Sequence, residues 1–216
     1  MRTKTLLIAA ATIAAGIASS MAQSTVYSVN LVGYINTPIV GASKYTLIAN
    51  PFDNGAGNTL TSLVDSTGAL PNKSQVLLWT GSGYSGYSKS GGTWSGNPAI
   101  PQSTGFFVKN GIATSPNLTN LFVGTCPSSN SVALPAGYTL SGGLIPFSGD
   151  LTTDTNINLG TTLPNKSQLL TWSTASQSFT GVSKSGGSWG GTLPVVAGQG
   201  FFINAKSATT WTQKVY

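Results

Sequence analysis

The chain lacks histidine and glutamate altogether, and its 216 residues hold one cysteine and four acidic side chains. Without histidine there is no histidine-dependent serine triad, no cysteine–histidine pair and no His-rich zinc site. Apart from the C-terminus, the carboxylates are Asp53, Asp65, Asp150 and Asp154. A lone Cys126 excludes a disulfide within the chain, so burial must hold the fold together. It stands in Phe122-Val-Gly-Thr-Cys126 and reads as a small buried hydrophobe rather than a reactive thiol. Charged residues make up 6% of the chain, against about 25% in an average soluble domain, so Ser, Thr, Asn and Gly supply the polar surface. Arg2 is the only arginine and the lysines are scattered, which argues against a nucleic-acid partner, because phosphate and guanine recognition lean on clustered Arg and Lys.

What is present begins with an address. Arg2 and Lys4 precede an apolar run from Leu6 to Ala18, then Ser20-Met21-Ala22. That order is the pattern of a cleaved signal peptide over residues 1–22, and the run falls short of the ~20 residues a membrane-spanning helix needs. The expected location is the periplasm, the cell surface or the medium. Removing Arg2 and Lys4 takes the formal charge from +6 to about +4. About 194 residues then remain, enough for two small domains, with no later segment able to cross a membrane as a helix.

Two stretches recur almost word for word. Leu70-Pro-Asn-Lys-Ser-Gln75 returns as Leu163-Pro-Asn-Lys-Ser-Gln168, and Ser88-Lys-Ser-Gly-Gly-Thr-Trp94 as Ser183-Lys-Ser-Gly-Gly-Ser-Trp189. Tyr45, Trp79 and Gly105-Phe-Phe107 are answered by Tyr138, Trp172 and Gly200-Phe-Phe202, at offsets of about 93 to 95 residues. The chain is therefore a tandem duplication. The echo of Leu31-Val-Gly33 in Phe122-Val-Gly124 sets the copies at residues 23–120 and 121–216, with Thr125 to Ser131 as connector.

Strand signals dominate, as in Val26 to Val32, Tyr45 to Ile48, Val76 to Trp79 and Trp211 to Val215, and Thr59 to Val64 is the best helical candidate. The Gly-Gly pairs read as tight hairpin turns, because glycine accepts positive φ. In the Pro-Asn pairs, proline presets φ and asparagine takes the turn geometry. Adjacent strand residues point to opposite faces, so each Phe-Phe pair must bury aromatics on both sides of a sheet. The expected fold is all-β: two tandem homologous β-sandwich or barrel-like repeats after a cleaved signal peptide.

Little of this is catalytic equipment, and no metal site, cofactor or catalytic residue is expected. Gly81-Ser-Gly83-Tyr-Ser-Gly86 matches a dinucleotide-binding string, but a hairpin follows where a helix is required. Asp150 and Asp154 with nearby Thr and Asn could surround Ca²⁺, yet no recognised loop spacing is present. The candidate ligand-binding residues are Trp94 with Lys89 and Trp189 with Lys184. An exposed indole beside hydroxyl and ammonium groups suits a sugar ring, and a repeated lysine suits an anion. The plain alternatives are hairpin-clasping tryptophans and solvated lysines, and core packing accounts most simply for Trp79 and Trp172.

Tyr45-Thr-Leu-Ile-Ala-Asn-Pro51, the Trp79 strand, the Gly-Gly-x-Trp94 turn and Gly105-Phe-Phe-Val108 resemble a β-repeat of secreted bacterial proteins. Gly198-Gln-Gly-Phe-Phe202 fits the closing pattern, whereas Gln102-Ser-Thr-Gly105 departs from it. The resemblance implies surface or adhesive modules and no catalytic residues. The expected function is an exported, non-catalytic module of the envelope or extracellular matrix that binds polysaccharide or a cell-surface protein. The competing expectations are an aspartate-dependent, glycosidase-like hydrolase and an outer-membrane-associated structural protein.

Overall fold

A computed structural model describes residues 31–214 of the chain. The signal-peptide expectation and the start of the first expected strand lie outside these residues. The described chain is all-β with two short helices. In order it forms β1 (Leu31–Ile39), β2 (Tyr45–Ala49), α1 (Leu60–Val64), β3 (Gln75–Trp79), β4 (Tyr84–Ser90), β5 (Thr93–Trp94), β6 (Gly105–Lys109) and β7 (Leu118–Cys126). There follow β8 (Ser129–Leu134), β9 (Gly137–Ser141), β10 (Gly149–Asp150), α2 (Leu159–Thr162), β11 (Gln168–Ser173) and β12 (Ser178–Ser185). Last come β13 (Ser188–Trp189), β14 (Pro194–Val195), β15 (Phe201–Ala205) and β16 (Thr209–Lys214).

Two five-stranded antiparallel sheets carry the same plan, β2-β6-β3-β4-β5 and β9-β15-β11-β12-β13. Each has a two-stranded ribbon beside it, β1–β7 for the first and β8–β16 for the second. The Phe-Phe pairs explain the layering. Phe106 enters a core with Ile39 and Phe122 of the first ribbon and Leu60 of α1, while Phe201 enters a second core with Leu134 and Trp211. Phe107 and Phe202 point the other way and meet each other's sheets in a third cluster with Leu47 and Leu140.

α1 falls within the expected helical segment. Thr59 accepts a bond from Ser62 N–H and Ser62 Oγ accepts from Thr59 N–H, a reciprocal cap that starts a helix too short to start itself.

The expected 120/121 division can be set beside the strand ladders. All of β7 pairs with β1, from Leu31 opposite Cys126 to Ile39 opposite Leu118, so a division at 120/121 falls inside a strand. The chain leaves the first ribbon at Pro127-Ser128, within the expected connector, and enters β8 at Ser129. The Leu31-Val-Gly33 and Phe122-Val-Gly124 echo has a packing cause: Gly33 and Gly124 are cross-strand partners. A Cβ on Gly33 would lie 2.8 Å from the Phe52 ring, and one on Gly124 would run into the Asp53 carbonyl and lie 2.8 Å from the Phe52 Cβ. Both glycines make room for the Phe52-Asp53 segment that packs on the ribbon.

Candidate functional site

The two repeated sequence motifs form one structural clasp in each half. Gly91 and Gly92 both have positive φ, as do Gly186 and Gly187, which closes a two-residue hairpin whose twist matches the strands. Asn72 Oδ1 accepts from Gly92 N–H at 2.8 Å and Asn165 Oδ1 from Gly187 N–H at 2.7 Å. The asparagines thus tether the neighbouring hairpin, and the positive φ falls on Lys73 and Lys166 instead. Lys73 N–H donates to the Lys89 carbonyl and Lys89 N–H to that of Ser74, a zip repeated between Lys166, Lys184 and Ser167. Pro-Asn-Lys-Ser and Lys-Ser-Gly-Gly recur together because they bond to each other.

Of the four expected ligand residues, Lys89 departs furthest from expectation. It is 5% exposed, so the solvated alternative does not hold for it, and its Nζ reaches Asp65 Oδ2 at 2.5 Å and the Leu70 carbonyl at 2.7 Å. Trp94 donates its indole N–H to the same Asp65 oxygen at 2.8 Å, and Leu70 N–H bonds the other at 2.9 Å. Lys184 is half-buried, donates to the Gly160 and Leu163 carbonyls at 2.7 Å each, and lies 5.8 Å from the centre of the Trp189 ring. Trp189 donates to the Gly160 carbonyl at 3.1 Å. The structure brings each Lys–Trp pair together, but it turns their donors inward.

Trp79 and Trp172 lie between the sheets in a reciprocal arrangement. Trp79 N–H donates to the Tyr138 carbonyl at 3.1 Å and Trp172 N–H to the Tyr45 carbonyl at 2.9 Å. Trp79 meets Phe202 edge-on at 5.2 Å and Trp172 meets Phe107 at 5.1 Å. The backbone repeats the exchange: Ala49 N–H donates to the Gly198 carbonyl and Gly142 N–H to that of Ser103, both at 2.8 Å. Such self-matching contacts characterise a two-fold interface. The Gly-Phe-Phe glycines permit it, since a Cβ on Gly105 or Gly200 would lie 2.7 Å from a carbonyl of the opposite sheet, Ser141 or Ile48.

The carboxylates are also occupied. Asp150 Oδ1 accepts from the N–H and hydroxyl groups of Thr152 and Thr153, and Oδ2 from Leu193 N–H. Burial pushes this carboxyl up, but the bonds from Thr152, Leu193 and Thr153 outweigh it and hold the group below its ordinary value. Asp154 accepts from Asn156 and Ile157 N–H, and Asp53 from Gly55 N–H. Cys126 is free and half-buried against the first core, and burial pushes its thiol up.

No family model matches the chain, nor does any curated protein or solved structure. The molecule's own surface must locate the site. The outer face of β1–β7 exposes Val32 (70%), Tyr34 (75%), Leu121 (53%) and Val123 (48%), with Tyr34 directly opposite Val123. The matching face of β8–β16 presents Ser131 opposite Thr212 and Ala133 opposite Thr210. This exposed apolar stripe is the candidate interaction surface. Sequence reasoning missed it, although alternation in Val32-x-Tyr34 and Leu121-x-Val123, set against Ser131 and Thr212, was the available signal.

Proposed function

We propose that the chain is an exported, non-catalytic β module of the envelope or extracellular matrix, built from two tandem homologous units, that holds a cell-surface partner on the outer face of β1–β7. The observation that carries this reading is where polar and apolar groups are spent. The four aspartates and both clasp lysines all bond to groups of their own fold, Asp65 and Lys89 in its interior and Asp53 in a surface turn, whereas Val32, Tyr34, Leu121 and Val123 stand together unburied. Tyr34 offers a flat ring with a hydroxyl, the side-chain type that anchors interfaces with little loss of rotamer freedom.

Fractionation of cells expressing the whole chain tests this. The protein is expected with the envelope, a Tyr34→Ser, Val123→Ser double variant is expected free in the surrounding fluid, and Ser131→Ala, Thr212→Ala on the sister ribbon is expected to behave as wild type. Recovery of the wild type in the cytosol defeats the export reading, and identical partition of the two double variants defeats the docking face.

A further inference from the structure

β1 carries a second unused feature besides its apolar face, which is a hydrogen-bonding edge. Thr125 of β7 exchanges both backbone bonds with Asp53 at 2.8 and 3.0 Å, on the side of β7 away from β1. Backbone groups alternate sides along an antiparallel strand, so Val123, Leu121 and Thr119 also face away from β1. Their partners across the ladder are Tyr34, Asn36 and Pro38, and Val32 is the partner of Thr125. These four β1 residues therefore turn their backbone groups away from β7. Pro38 agrees with this orientation, because a residue without N–H fits a ladder where that group faces outward.

Among the described residues, nothing bonds to the outward N–H and C=O groups of Val32, Tyr34 and Asn36. Proteins normally blunt such an edge with charge, a bulge or a covering element. Here neither β1 nor β7 contains a charged residue. Only Pro38 interrupts the edge, and it lies at one end.

We propose that this edge pairs with β1 of a second copy, about a two-fold axis through Tyr34. The three available residues are spaced evenly about Tyr34, so an antiparallel copy sets Tyr34 opposite Tyr34, Val32 opposite Asn36 and Asn36 opposite Val32. Every outward N–H and C=O of the three residues is then paired, and Pro38 falls just outside the new ladder. The product is a continuous sheet in the order β7-β1-β1-β7, an extension of the existing β1–β7 ladder. Directly opposed residues share a face, so the two apolar stripes merge into one. A strand is the matching occupant because the unpaired groups come at strand spacing, and this chain's own edge is complementary to itself. Because β1 pairs with its own copy about a two-fold axis, each edge is used up by the other and the assembly closes as a dimer.

This inference rests on the reading that the β1–β7 ribbon is the uncommitted surface. Light scattering coupled to size exclusion on the purified protein is expected to show a dimer in the micromolar range. Tyr34→Lys sets two ammonium groups face to face at the axis and is expected to weaken the dimer about tenfold or more, while Thr210→Lys on the sister ribbon leaves it unchanged. Tyr34 is exposed, so its replacement leaves the core intact. In a Cys126→Ser background, Tyr34→Cys is expected to form a disulfide-linked dimer under oxidised glutathione, and Leu121→Cys is not, because only position 34 lies opposite itself.

A monomeric wild type, a dimer indifferent to Tyr34→Lys, or equal cross-linking at both positions overturns the proposal. A monomeric wild type whose Tyr34→Ser, Val123→Ser variant still leaves the envelope removes the dimer and spares the docking face. A dimer whose ribbon variants all fractionate alike does the reverse.

Discussion

Lys89 and Lys184 hold the same strand position before their hairpin turns and both donate to carbonyls, yet only Lys89 meets a carboxylate, while Lys184 lies against the face of an indole. The acceptor that Asp65 supplies to Lys89 and Trp94 is supplied to Lys184 and Trp189 by the Gly160 carbonyl. The first lysine is buried and needs a counter-charge; the second stays half-exposed and can share its charge with water. The same backbone plan thus tolerates two electrostatic solutions, with burial deciding which is required. The ribbons differ in a parallel way, one apolar outside and one polar.

The two largest expected effects test how far the halves are alike. Phe107→Ala and Phe202→Ala should each cost about 3–5 kcal/mol in urea unfolding at neutral pH, because each empties the same central cluster from opposite sides. A clear inequality between them would break the two-fold description of the interface. Asp65→Asn should cost a comparable ~3–5 kcal/mol by leaving the buried Lys89 ammonium without its counter-charge, whereas Lys184→Met should cost only about 1 kcal/mol. Equal losses would mean that the two clasps do not differ as their burial implies.

Smaller effects sharpen the comparison. Trp79→Phe and Trp172→Phe each delete one indole–carbonyl bond across the sheets and should each cost about 1 kcal/mol. Ser103 and Gly198 hold the same place in the reciprocal backbone exchange, with φ of 66° and 84°. The serine also buries a hydroxyl without a partner, so Ser103→Gly should stabilise the chain by about 1 kcal/mol, read as a higher thermal midpoint. Asp150→Asn probes a carboxylate bonded only in the second half. Its folded-state pKa is lowered, so its contribution is present above about pH 4 and is lost as pH falls through the folded value. The variant should therefore be less stable than wild type at pH 7, with the difference shrinking as pH falls below about 4.

Much of this plan was legible in the sequence where a rule acts locally. The two-faced Phe-Phe strands follow from a period of two, and the Gly-Gly hairpins from positive φ. Lys89 was not legible, because its partner Asp65 is brought to it only by the fold, and Lys184 shows that the same hairpin motif occurs without a carboxylate. The packing behind the Val-Gly echo was not legible either, because Gly33 and Gly124 meet across a ladder and make room for Phe52 and Asp53, which no spacing rule reveals. The exposed stripe emerged only when two strands distant in sequence were laid side by side and compared with their sister pair.

The crossed backbone bonds have a consequence for motion. Ala49 and Gly142 each donate to a carbonyl supplied by the other half, so neither loop can swing out without leaving a donor unpaired in one half and an acceptor in the other. Local breathing is thereby coupled across the molecule. Amide hydrogens of the two loops should exchange with solvent at matched rates, and the slowest-exchanging amides of both sheets should be released in a single opening event.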